Sequence, residues 1–83
     1  MAARRKKASA RATGPIDRKI GAQIRAARAE AGLSQQGLAN LIGITFQQIQ
    51  KYETGRNRVS VARLVELTST LGKKPSFFVE AWR

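Results

Sequence analysis

Apolar positions recur at helical spacing along most of the chain, and glycines punctuate the pattern. Ile16, Ile20, Ile24, Ala27 and Ala31 share one side at about 100° per residue, which predicts a first helix over 17–31 stopped by Gly32. Asp17 lies in its first turn, where the positive end of the helix dipole favours a carboxylate. Ser34 is placed to cap a second, shorter helix whose inward face is Leu38, Ala39 and Ile42, and Gly43 supplies the left-handed stop. Thr45 starts a third helix with Gln48 three residues on, in capping-box spacing, and Gly55 closes it. Ser60 caps a fourth over 60–71, with Val61, Leu64, Leu67, Thr68 and Leu71 in or near the core and Gly72 after it. Pro75 suits the first turn of a last short helix that carries Phe77, Phe78, Val79 and Trp82. The prediction is therefore an all-α fold of five helices, with no internal repeat.

The third helix has two unlike faces. Ile49, Tyr52 and Glu53 share the side that packs inward, while Phe46, Gln47, Gln50, Lys51 and Thr54 share the other. The outer side offers amide and ammonium donors, one aromatic ring and no carboxylate. That chemistry suits the floor of a DNA major groove, where base edges present acceptors and donors between walls of phosphate. Taken alone, the face reads first as an ordinary solvated helix face, and only the surrounding pattern overturns that.

Composition narrows the choice. The chain has 83 residues, enough for one domain, and a net charge of +11. So basic a chain points to a polyanionic partner, most often nucleic acid, because no strongly apolar Lys-rich helix stands out to favour a membrane surface. Cysteine and histidine are both absent, and only five carboxylates are spread along the chain. No disulfide framework, metal site or catalytic constellation is expected, and no cofactor; the expectation is not an enzyme. No apolar run approaches a membrane span, and the cytoplasm is the expected location.

Residues 1–15 have no hydrophobic periodicity. They hold Arg4, Arg5, Lys6, Lys7 and Arg11 without an acid, and read as a disordered basic arm ahead of a folded domain over 16–83. The arm carries +5 and the folded part +6. The arm's composition fits a solubilising tail as well as a strand that tracks phosphates.

Several motifs together carry a family resemblance: GLSQ at 32–35, Leu38 with Ala39, IGIT at 42–45, Ile49, YETG at 52–55 and the closing Leu71 with Gly72. This set resembles the lambda-repressor/Cro (XRE) family of helix-turn-helix DNA-binding domains, over about residues 20 to 78, with the helix-turn-helix motif at about 34–55. Gly37, Val59 and Lys73 depart from residues frequent in that family. The resemblance implies a compact lambda-repressor-like fold and a sequence-specific transcriptional regulator, by default a repressor acting as a homodimer on a pseudo-palindromic operator of double-stranded DNA. It implies that Gln35 and the loop Arg56, Asn57 and Arg58 hold the DNA backbone, with Thr45 serving as cap, phosphate contact or both. Base reading is expected from Phe46, Gln47, Gln50 and Lys51. It also implies a structural ion pair between Arg28 and Glu53. Arg25 is read as outward-facing and solvated.

The aromatics of the last helix exceed what a small core needs, so Phe77, Val79 and Trp82 are expected at a dimer interface or under another protein partner. Two rival functions share the fold: an antitoxin that also neutralises a protein through that apolar patch, and a sequence-neutral nucleic-acid module driven by the basic arm.

Overall fold

The structure is a computed structural model that describes residues 13–79. Every regular element among these is a helix: α1 (Pro15–Glu30), α2 (Gln35–Ile42), α3 (Phe46–Glu53), α4 (Val61–Leu71) and α5 (Pro75–Val79). The basic residues of the arm and Trp82 lie outside the described residues, as does the side chain of Val79.

Local chemistry sets the ends. Ser34, Thr45 and Ser60 are extended N-caps whose hydroxyls accept the backbone N–H of Gly37, Gln48 and Arg63, each satisfying one of the unpaired donors of a first turn. Gly43 and Gly72 take left-handed conformations just after α2 and α4 (φ 76° and 69°), which a side chain would oppose. α1 starts two residues earlier than the apolar spacing predicts. Pro15 occupies its first position, where a missing N–H costs nothing, and the N–H of Gly14 donates to Asp17 Oδ2 at 2.8 Å. Asp17 thus acts through a hydrogen bond as well as through the helix dipole.

The buried cluster draws on all five helices: Ile24 and Ala27, Leu38 and Ala39, Ile49 and Tyr52, Leu67 and Leu71, and Phe78. A fully buried Ile, Leu or Phe contributes about 1.5–3 kcal/mol, so these few side chains dominate the stability of so small a domain. α1 packs chiefly on α3, and α2 packs on the same helix from another side. The α1–α3 approach is close because Gly21 lies against the last carbonyls of α3.

The apolar expectations at Val61 and Ile16 are corrected. Val61, expected in or near the core, is 80 % exposed, and Val65 beside it is also exposed. The inward stripe of α4 is Leu64, Leu67, Thr68 and Leu71, and the two valines sit at its margin, where none of the described elements covers them. Ile16 is exposed at the start of α1, a turn ahead of the helices that could cover it. Phe77 lies on α5 beside the buried Phe78. It is half-buried against the core, meets Phe78 edge-on at 5.0 Å between ring centres, and has the Lys73 ammonium 4.9 Å from its own. Its backbone carbonyl accepts from Gln23 Nε2 at 3.0 Å, tying α5 to α1.

Candidate nucleic-acid interface

α3 is split lengthwise by its own sequence. Ile49, Tyr52 and Glu53 are buried, whereas Gln47, Gln50 and Lys51 are exposed. Thr45 fixes the start of the helix, its hydroxyl 3.2 Å from the N–H of Gln48. At the other end Thr54 Oγ1 donates to the carbonyl of Gln50 at 2.9 Å, and the N–H groups of Arg56 and Asn57 both reach the Lys51 carbonyl. The loop that carries the basic residues is therefore anchored on the last turn of α3.

The inner edge is fixed by a charge cluster. Arg28 Nε lies 2.6 Å from Glu53 Oε2 and Arg28 Nη2 lies 3.0 Å from Oε1, a two-pronged pair between α1 and α3. Their side chains are only 14 % and 3 % exposed. Arg28 Nη1 donates to the Leu33 carbonyl, and Gln35 Nε2 donates to Glu53 Oε1 at 3.0 Å. α1, α2 and α3 are thereby joined at one carboxylate. The hydrogen bond to Glu53 raises the arginine's pKa above its ordinary value; burial acts against this and the nearby negative charge adds to it. A fork-to-fork pair satisfies both partners, which is the condition under which a buried ion pair is tolerated.

An open pocket of about 450 Å³ lies in front of this cluster. Gln47, Gln50, Lys51 and Thr54 line it from α3, Arg56 from the loop and Arg25 from α1, with Arg28, Gln35 and Glu53 behind them. Five of the residues expected to meet DNA thus converge on it: Gln35, Gln47, Gln50, Lys51 and Arg56.

The others are placed differently. Phe46 is half-buried against the core, which its position at the start of α3 allows. Asn57 is half-buried and Thr45 is exposed as a cap. Arg58 stands beside Asp17, with 3.4 Å between Nε and Oδ2. Gln35 has one amide N–H engaged by Glu53, so the cluster orients it rather than solvent. Arg25 joins the site although its sequence position marks it only as solvated. A signal was present: Arg25 stands three positions before Arg28, and such pairs share a helix face.

Among the described residues no helix is long and apolar enough to cross a membrane, and no group of acidic residues could hold a metal ion.

The family profile "Helix-turn-helix" matches residues 24–78. An HTH-type transcriptional regulator of Sinorhizobium medicae (strain WSM419) is 50% identical over 66 residues, which are 80% of this chain and 48% of that protein. The chain spans about half the length of the curated relatives it matches. Among solved structures, the restriction-modification controller protein C.AhdI of Aeromonas hydrophila is 31% identical with a TM-score of 0.69, covering 74% of this chain and 92% of that one. The clp gene regulator ClgR of Corynebacterium glutamicum has the same fold, with a TM-score of 0.75 at 24% identity over 80% of this chain and 86% of that one. A profile match over most of the chain, relatives at this identity and the two-faced α3 agree: the chain belongs to the lambda-repressor-like (XRE) family of helix-turn-helix domains.

Proposed function

We propose that this chain is the sequence-specific DNA-binding part of a transcriptional regulator, acting in the cytoplasm by default as a repressor that blocks polymerase, and binding a pseudo-palindromic operator as a homodimer. The observation that carries the reading is the outer face of α3. Gln47, Gln50 and Lys51 stand exposed beside Arg25 and Arg56, while the one carboxylate of the helix, Glu53, is buried and paired. Gln can bridge N6 and N7 of adenine, and Lys can donate to O6 and N7 of guanine. Phe46, half-buried, is the proposed apolar contact for a thymine methyl. Gln35, Thr45, Arg56, Asn57 and Arg58 are the proposed backbone contacts. Phe77, Val79 and Trp82 are the proposed dimer surface. The transcriptional-regulator names of the relatives, and the printed role of C.AhdI, support the reading.

Selection from a pool of random duplexes tests it. The expected result is an enriched site with two related half-sites, bound more tightly than a scrambled duplex of the same length. Equal affinity for selected and scrambled duplexes would overturn sequence-specific binding and leave a sequence-neutral module.

A further inference from the structure

The geometry points to Arg25 of α1 as a phosphate-binding residue that, with Arg56, grips one strand of a duplex beside the recognition helix. The inference rests on the DNA-binding reading and extends it to a helix outside the helix-turn-helix motif.

Charge in the pocket is out of balance. It is lined by Arg25, Arg28, Lys51 and Arg56 against a single carboxylate, Glu53. That carboxylate is already answered by Arg28 through two hydrogen bonds and by Gln35 through a third. Arg25, Lys51 and Arg56 therefore face the opening with no anionic partner among the described residues. They come from three different segments, so helix periodicity alone does not explain their meeting. α1 holds Arg25 against α3 through the Gly21 approach and the Arg28–Glu53 pair, and Arg56 is held by its N–H bond to the Lys51 carbonyl.

Their placement separates two roles. Gln47, Gln50 and Lys51 project from α3 itself, the element that would enter a groove. Arg25 and Arg56 belong to its flanks, and the flanks of a groove are phosphate. The pocket is open and roomy enough for a phosphodiester with bridging water. An arginine there also presents a planar fork suited to two phosphate oxygens, which a lysine does not.

The test measures the salt dependence of binding by the full chain, using the selected operator and a scrambled duplex. Arg25→Gln is expected to weaken both duplexes by the same factor and to lower the log–log salt slope by about 0.9, the value for a single neutralised phosphate. Its thermal midpoint should match the wild type, because Arg25 is exposed. Lys19→Gln removes the same charge from an exposed site of α1 outside the pocket and should leave the slope unchanged. Arg25→Lys should restore most of the slope. A neutral methylphosphonate, walked along the duplex, should find one position that costs the wild type affinity and costs Arg25→Gln nothing more. A wild-type slope in Arg25→Gln, an equal slope change in Lys19→Gln, or no such phosphate would overturn the inference. If the wild type itself binds neither duplex, the DNA-binding reading has failed instead, so the two failures are distinct.

Discussion

Gly21 of α1 lies directly against the backbone of Glu53 in α3: a methyl group at position 21 would stand 2.6 Å from the Glu53 carbonyl oxygen, and closer still to that of Tyr52. No flexible side chain is available to yield, because the obstacles are main-chain atoms. The separation of α1 from α3 is thus set by a missing side chain. Gly21→Ala should force the two helices apart and destabilise the fold by about 1–3 kcal/mol, read by urea denaturation. The control is Ala22, exposed at the next position, where Ala22→Ser should be close to neutral. A Gly21→Ala variant as stable as the wild type would show that the two helices are not held this closely.

The Arg28–Glu53 pair gives a second prediction. Arg28→Met alone should cost about 3–5 kcal/mol, since it strands a carboxylate that is almost wholly buried. Arg28→Met with Glu53→Leu should recover much of that loss. The folded pKa of Arg28 is raised, so the arginine's share is fully present below the arginine range and disappears only as pH rises through it. The cycle is therefore read at neutral pH. Purely additive losses would mean that the two residues do not interact.

These two relationships show what is legible in the sequence and what is not. The helix ends can be read because they depend on single residues: Ser34, Thr45 and Ser60 as caps, and glycines at positive φ beyond α2 and α4. The Arg28–Glu53 pairing is accessible only through the family resemblance, since its partners lie 25 residues apart. Periodicity misplaces Val61 because it gives an angle around α4 but not the extent of its cover. Counting aromatics against the size of a core cannot show that the Phe77 ring sits half inside it. Arg25 escapes notice because a pocket between α1, α3 and a loop exists only after packing.

Reading and holding should fail differently. Gln47→Ala should cost about 1–3 kcal/mol on the selected operator, relax preference at one or two base positions, and barely change binding to random DNA. Arg56→Ala should weaken both by similar factors and lower the salt slope. Arg56 is a cleaner probe than Arg58, which also stands beside Asp17. Competition against single-base operator variants at two salt concentrations checks both halves. An intact base-preference profile in Gln47→Ala would show that this face does not read.

Deleting residues 1–12 removes five positive charges ahead of the first described helix. Thermal stability should stay within a few tenths of a kcal/mol, because the buried cluster of the described residues is built between Ile24 and Phe78. Operator affinity should fall, with a salt slope flattened by about 0.9 for each phosphate that the arm had neutralised. An unaltered slope would reduce the arm to a solubilising tail.

Assembly on DNA is checked by sedimentation with the selected operator. Two chains per site are expected, with half-sites about one helical turn, roughly 34 Å, apart. Trp82→Ala should lower that stoichiometry at limiting protein. One chain per site in both proteins would remove the dimer proposal.

The lengthwise division of α3 has a consequence for how such a chain diverges. Ile49, Tyr52 and Glu53 answer to the interior, and Gln47, Gln50 and Lys51 answer only to what lies outside. The inner three are constrained by volume and charge, whereas the outer three can be exchanged with little effect on folding. Under the proposed base-reading role of this face, a duplicated copy could acquire a new address by two or three substitutions while its scaffold stays unaltered.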